Sequence, residues 1–360
     1  MSLDDGSGAL MTDRAMPETP HRPPGRSAPN DARNDAPLFA ALDLGTNNCR
    51  MLIARRARNG FRIVEAYSRI VRLGEGLSQS GELSPAAMER ALAALATCAE
   101  RIRRRQVQRV RAVATQACRA AANGPAFLAR VQRDTGLTLE VIDPAEEARL
   151  AVVGCTDLID DRFQSALILD VGGGSTEISW VRPRVQNDRR AADILAWHSV
   201  PIGVVTLAER FPEPARPTRE WYDSMVEAMR SQVAGFVGAE AHRAAFADNQ
   251  AQLIGTSGAV TSLASLHLGL TRYERAKVDG LRMTAGQCRA VATSLMDLDR
   301  AGRAAHGCIG PDRADLVLAG AAILEAIQQA WPCDQVRVAD RGLREGLLMS
   351  LMRRRRRRRR

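Results

Sequence analysis

The stretch Leu167-Ile168-Leu169-Asp170-Val171-Gly172-Gly173-Gly174-Ser175-Thr176-Glu177-Ile178-Ser179-Trp180 runs apolar, passes through a carboxylate, three glycines, two hydroxyls and a second carboxylate, and returns to apolar. An apolar run ending at a glycine turn reads as a buried strand, and it delivers Asp170 to the end of a sheet. Three glycines turn the backbone so tightly that its N–H groups can all face one anion. Ser175 and Thr176 add hydroxyl donors, and the returning strand carries Glu177 down beside the first. Asp170 and Glu177 accept hydrogen bonds without donating them, so they do not hold a phosphate themselves. They can hold a hard cation that in turn holds the phosphate. A hairpin with a merely flexible turn is the competing interpretation, and two carboxylates bracketing the glycines fit it less well.

Outward from this stretch, Ala41-Leu42-Asp43-Leu44-Gly45-Thr46-Asn47-Asn48 repeats the same logic, with Asp43 standing 127 residues before Asp170. Each copy is an apolar strand, an Asp, a glycine turn and another strand. Two such loops in separate half-chains predict two similar domains facing each other across a cleft, each offering a phosphate loop. Phe39 to Leu44, Cys49 to Arg55 and Gly60 to Ala66 read as a β-meander. Ser84-Pro85 then starts a long helix with Met88, Leu92, Leu95, Ala96 and Ala99 on one face and a basic end at Arg101 to Arg105. Further strands are expected at Val110 to Ala114, Thr138 to Ile142, Ile194 to Val200, Gln252 to Gly255 and Cys333 to Asp340, with a closing helix over Leu343 to Met352. Strands and helices interleave, so the fold class is α/β.

Asp43 and Asp170 are expected near the cleft floor with Glu177 close by, binding Mg²⁺ or another divalent cation between them. Asp43 alone also suits a turn-initiating residue at a strand end. Glu146-Glu147 opens a helix behind Asp143-Pro144, where acids belong for dipole reasons. A carboxylate there, 23 residues before Asp170, is also placed to take a proton from an attacking water. Arg119 follows a strand at the start of a helix, where its fork can grip phosphate oxygens, although an exposed helix arginine looks the same in sequence. Gly255-Thr256-Ser257-Gly258 supplies amides and hydroxyls at a helix N-terminus, as an anion site, an ordinary cap or both. Arg313 with Asp315, and Arg341 with Arg344 and Glu345, read equally well as an inter-helix salt-bridge network. The five histidines show no metal-ligand spacing.

Bulk properties narrow the classes. The 360 residues, 45% apolar, suffice for two domains with real cores. No run approaches the ~20 apolar residues of a membrane helix, so no membrane partner is expected, and Leu316 to Ala330 reads as a buried helix. No secretory signal is visible, and seven scattered cysteines without a C-x-x-C pair point to reduced thiols in the cytoplasm. Residues 1–36 have the composition of a disordered leader. The net charge of +10 includes eight terminal arginines, Arg353 to Arg360, and a leader of −2, leaving +4 for residues 37–352. The arginine run reads as a disordered tail making nonspecific polyanion contacts.

In order along the chain stand Ala41-Leu42-Asp43-Leu44-Gly45-Thr46-Asn47, Glu146-Glu147-Ala148-Arg149, Asp170-Val171-Gly172-Gly173-Gly174-Ser175-Thr176-Glu177, Pro201-Ile202-Gly203-Val204-Val205, Gly255-Thr256-Ser257-Gly258 and Gly342-Leu343-Arg344-Glu345-Gly346. With these motifs the chain resembles the exopolyphosphatase / guanosine pentaphosphate phosphohydrolase (Ppx/GppA) family, in its short two-domain form, from about residue 38 to 350. The resemblance implies two ribonuclease-H-like domains of the actin-like ATPase superfamily flanking a central cleft. The first would take residues 37–145 plus the closing helix 342–352, and the second 146–341. It further implies Mg²⁺-dependent removal of the terminal phosphate from polyphosphate or pppGpp, with guanosine penta- or tetraphosphate as substrate or ligand. By the same resemblance Glu147 is the base that orients water, and Asp43, Asp170 and Glu177 are metal ligands. Gly45, Thr46, Asn47, Gly172, Gly173, Gly174 and Arg119 form the terminal-phosphate clamp. Asn48-Cys49 departs from the family's usual small hydroxyl and apolar pair, and a homodimer is left open. Two other classes compete: a kinase of the same superfamily, which needs a base for a substrate hydroxyl, and a nonenzymatic nucleotide-gated binding protein.

Overall fold

The computed structural model describes residues 36–58, 60–186 and 189–353. The expectations for the leader and the arginine tail, apart from Ala36 and Arg353, therefore lie outside the described residues.

Two sheets organise the rest. In the first, β1 (Leu38–Leu44), β2 (Asn48–Ala57) and β3 (Gly60–Ile70) form the expected antiparallel meander, and β4 (Arg109–Ala114) and β5 (Leu139–Val141) join β1 in parallel, giving the order β3-β2-β1-β4-β5. In the second, β6 (Ser165–Val171), β7 (Thr176–Gln186) and β8 (Arg189–Val200) form another meander. β9 (Ala251–Thr256) and β11 (Gln335–Ala339) add in parallel, and β10 (Arg282–Thr284) pairs antiparallel at the edge. The order is β10-β11-β9-β6-β7-β8. Without β10, which sequence alone did not predict, the second sheet repeats the first strand for strand. The echo seen in the sequence is thus an echo of topology, and the fold is the α/β, two-domain ribonuclease-H-like one of actin-like ATPases. β1 and β6 lie in the middle of their sheets with helices on both faces, which is why they read as unbroken apolar runs until their aspartates.

The helix Pro85–Arg104 starts as expected, with Ser84 accepting from the Ala87 N–H and Pro85 in the first turn. Its buried stripe is Ala87, Ala91, Ala94, Leu95 and Cys98, turned from the predicted one. The sheet accepts the small alanine face, which lets the helix lie close, and Met88 and Leu92 flank the contact. Helix Val317–Ala330 is buried along nearly its whole length. Among the described residues no helix is long and apolar enough to cross a membrane, and all seven cysteines are free.

Helices Pro144–Cys155 and Leu343–Arg353 pack against each other where both sheets meet. Leu150 joins Leu343, Leu347 and Leu351 under β1 and β2, whereas Val152 and Cys155 pack under β6 and β9. The two helices touch backbone to backbone. A Cβ on Gly154 would stand 2.0 Å from the Gly342 carbonyl oxygen, and one on Gly346 would stand 2.1 Å from that of Leu150. Only glycine permits such an approach.

Candidate active site

The two glycine turns match in detail. Each is closed by its first glycine: Gly45 N–H donates to Asn48 O at 2.8 Å, and Gly172 N–H to Ser175 O at 2.9 Å. Each is braced by the segment after the third strand of its meander. Thr46 O accepts from Gly74 N–H and Asn47 O from Val71 and Arg72 N–H. In the second copy Gly172 O accepts from Val204 N–H and Gly173 O from Val205 N–H. Among the described residues, the N–H groups of Thr46, Asn47, Gly173, Gly174 and Ser175 donate to no protein acceptor. Such groups bind anions.

The turns abut. A Cβ on Gly173 would lie 3.0 Å from the Asn47 nitrogen, and one on Gly174 would lie 2.1 Å from Gln116 Oε1. That same oxygen accepts from Thr46 Oγ1 at 3.1 Å, so Gln116 touches both loops. Two hollows, of about 440 and 460 Å³, open beside them. Thr46 and Gln116 line the first, Asn47, Arg72 and Asp315 line the second, and Glu209 walls both. Contacts between the two halves rim these hollows. Arg72 donates to both Asp315 oxygens at 2.9 and 2.8 Å, and Glu209 accepts from Gly76 N–H at 2.8 Å and Ser78 Oγ at 2.6 Å.

Strand register assembles the carboxylates. Asp170 stands directly opposite Glu177 on β7 and beside Thr256 on β9, and Glu177 stands opposite Ser199 on β8. Ser175 Oγ and Ser199 Oγ both donate to Glu177 Oε1, at 2.8 and 2.9 Å. Burial, and then the Asp170 charge, push Glu177 up to about 7. Burial likewise lifts Asp170 to about 6, with Arg50 opposing and Asp43 adding to the rise. Asp43 is raised by burial, opposed by Arg50 and Arg344. Glu147 is held well above the usual carboxylate range by burial and then by Glu177, while Arg119 opposes. Asp43, Asp170, Glu177 and Glu147 therefore share one electrostatic neighbourhood between the sheets. Among the described residues no three His, Cys, Asp or Glu side chains converge closely enough to hold a metal alone. A magnesium-type ion needs only one or two carboxylates, its other ligands being water and substrate oxygens. Carboxylates in excess over their nearest cations, Glu147 and Glu177 buried and Asp43 and Asp170 half-buried, fit such a guest.

The glutamate pair divides. Asp143 caps the helix by accepting from Glu146 N–H at 2.7 Å. Glu146 pairs with Arg149 and Arg111, which hold its carboxyl low, the ordinary first-turn role. Glu147 is 8% exposed, with Arg119 Nη1 3.4 Å from its Oε2. Arg119 also donates to the Ile142 carbonyl at 2.6 Å, so it is a fixed, half-buried group rather than a surface arginine. Ser257 is held at φ 118°, ψ 175°, a region non-glycine residues rarely occupy. Its Oγ accepts from Ala259 N–H, and Gly258 begins the helix Gly258–His267.

Two sequence expectations need correction. Thr176 is fully buried and its hydroxyl donates to Ile202 O at 2.6 Å, while the Ser175 hydroxyl is spent on Glu177. Thr176 points away from Glu177 because successive strand residues face opposite sides. The expected network of Arg313, Asp315, Arg341, Arg344 and Glu345 also divides. Asp315 pairs with Arg72 and Arg300, Arg341 with Asp279, and Glu345 with Arg275. The charges of Arg313 and Arg344 instead reach Arg50.

Arg50 was missed. It stands opposite Asp43 across the first turn, seven residues on, as Glu177 stands seven after Asp170. The two copies of the motif thus carry opposite charges at the matching position, which the sequence could have shown. Burial, and then Arg344, hold Arg50 below its usual range, against the pull of Asp43 and Asp170. Its guanidinium lies near Gly258, 3.4 Å from a Cβ built there, and no carboxylate among the described residues lies within 4 Å of it.

Residues 52–355 match the model of the Ppx/GppA phosphatase family. The chain is 31% identical over 325 residues to Exopolyphosphatase 2 of Mycobacterium tuberculosis, covering 87% of this chain and 98% of that protein. It is 29% identical to the guanosine-5'-triphosphate,3'-diphosphate pyrophosphatase of Photobacterium profundum, covering 88% of this chain and 60% of that longer protein. Among solved structures it is similar to an exopolyphosphatase-like protein, with a TM-score of 0.77, 29% identity, and 88% and 99% of the two chains covered. It is also similar to the Aquifex aeolicus Ppx/GppA family member, with a TM-score of 0.69, 28% identity, and 87% and 97% covered.

Proposed function

The chain belongs to the Ppx/GppA phosphatase family, and on that premise we propose that it is a divalent-cation-dependent phosphohydrolase. It removes the terminal phosphate from inorganic polyphosphate, from pppGpp, or from both, since the two end in the same phosphoanhydride. The observation that carries this reading is the pair of abutting glycine turns with unpartnered N–H groups, set beside two buried carboxylates, Glu147 and Glu177, and two half-buried ones, Asp43 and Asp170.

In this reading the N–H groups of Thr46, Asn47, Gly173, Gly174 and Ser175 grip the terminal phosphoryl oxygens. The start of the helix at Gly258, and the Arg50 guanidinium near it, take the neighbouring phosphate. Asp43, Asp170 and Glu177 would supply the one or two carboxylates that Mg²⁺ needs, water and substrate completing its shell, and the bound ion would screen phosphate charge and stabilise the transferring oxygens. Glu147 takes a proton from the attacking water. Burial raises its affinity for protons, which makes its ionised form a stronger acceptor than an ordinary carboxylate. Arg119 holds Glu147 in place and opposes its neutralisation by the other acids. The catalytic chemistry asked of the protein is mainly positioning and charge stabilisation, as for phosphoryl transfer generally.

The test is phosphate release from polyphosphate, pppGpp and ATP in Mg²⁺, run side by side. Release from none of them defeats the hydrolase reading. Glu147→Ala is expected to lose turnover by about 10²–10⁴-fold, the usual contribution of a general base, while still binding substrate. Turnover retained in that variant would remove Glu147 from the role.

A further inference from the structure

The opposite end of the first sheet carries an imbalance of charge that the site does not use. Between residues 95 and 110 stand five arginines and one acid, Glu100. Arg101, Arg104 and Arg105 all converge on a single carboxylate of β3, Glu65, at 3.2, 3.9 and 2.7 Å. One carboxylate cannot neutralise three guanidinia. Glu65 stands opposite Ile53, and just beyond the adjoining bulge Arg55 and Arg62 face each other directly across β2 and β3. Arg56 donates to the Met352 carbonyl, so the last described helix ends on this same edge, with arginines following in sequence. Arg62, Arg103, Arg104 and Arg105 are exposed. β2 spans the distance from the first glycine turn to this end, about 30 Å for ten residues.

We propose that this basic end anchors the distal part of a long polyphosphate chain whose terminus lies at the glycine turns. The inference rests on the polyphosphate reading above. Guanidinium forks match phosphate oxygens, and a run of them follows a flexible chain of phosphates without requiring a sequence. A single-stranded nucleic acid would also need aromatic faces on which its bases stack. The aromatics here do not offer them: Tyr67 is half-buried under the Arg101 guanidinium, 4.8 Å from its ring centre, and Phe61 packs against the core.

The test is the full chain carrying R62Q, R103Q and R104Q, three exposed positions at the end of the first sheet away from Asp43. Affinity for long-chain polyphosphate, read by fluorescence anisotropy over a salt series, is expected to fall about tenfold or more, with the log–log salt slope shallower by about 2 for three lost contacts. KM for the long chain should rise by a similar factor with kcat unchanged, and tripolyphosphate, too short to reach, should be turned over as before. Unchanged long-chain affinity and slope would overturn the proposal, as would an equal loss with tripolyphosphate. Loss of single-stranded RNA binding with polyphosphate binding intact would also overturn it, by assigning the patch to nucleic acid. If the unaltered protein releases phosphate from nothing, the hydrolase reading fails, while the binding measurement still decides the anchor.

Discussion

Glutamine in place of Glu177 should make the metal-free protein more stable while abolishing its turnover. Glu177 is 2% exposed and its carboxyl is pushed up to about 7, above its ordinary 4.5. Folding thus favours the protonated form, and the ionised form detracts from stability at every pH above 7. That disadvantage fades as pH falls through 7 and is gone below 4.5. At about 1.4 kcal/mol for each pH unit, its ceiling at pH 8 is about 3 kcal/mol, falling below about 1 kcal/mol at pH 5. The amide oxygen can still accept from Ser175 and Ser199, and the amide N–H₂ can donate toward Asp170 and Glu147, so the hydrogen-bond frame survives. Urea unfolding in EDTA at pH 8 and pH 5 reads the difference directly. No gain at pH 8, or the same gain at both, would refute the argument that burial of this charge is what the fold bears. Mg²⁺ should then stabilise the unaltered protein and leave E177Q unmoved, because binding to the native state alone raises stability.

Two further substitutions probe the frame. Gly346→Ala drives a methyl group to 2.1 Å from the Leu150 carbonyl; overpacking of this kind costs about 1–3 kcal/mol, seen as a lower unfolding midpoint. Activity should fall with it even at temperatures where the protein stays folded, because the displaced helix carries Arg344 and Glu345. Arg72→Ala removes the two-oxygen grip on Asp315 across the hollows. At side-chain exposures of 24% and 20% the pair is not a freely solvated one, and steady-state kinetics should show KM raised severalfold with kcat changed less; an unchanged KM would mean the bridge has no part in substrate capture.

The strands, the repeated topology and both glycine turns were legible because they rest on local rules: apolar runs, turn residues and period-two alternation. The site was legible only in part. Asp43, Asp170, Glu147, Glu177 and Arg119 do fall into one neighbourhood, as their mutual charge effects show. The different fates of Glu146 and Glu147 turn on about 100° of helix rotation, and nothing before the packing of that helix says which side faces inward. The inward turn of Thr176 was legible from strand alternation, since its neighbour Glu177 faces the other way. Arg50 looked like any arginine at the start of a strand until the register set it against Asp43. Arg72 and Asp315 lie 243 residues apart, and no local signal links them.

The helix Leu343–Arg353 covers the underside of the sheet that is synthesised first. On a ribosome moving at about 5–20 residues per second, β1 waits on the order of 15–60 s for that cover. Until it arrives, Phe39, Ala41 and Leu52 have Leu150 beside them but lack Leu343, Leu347 and Leu351, and the charges of Arg344 and Glu345 are missing from beside Asp43. A nascent chain therefore has its first glycine turn long before it has a complete centre, and a chaperone that shields that apolar underside would be guarding the interval between the two.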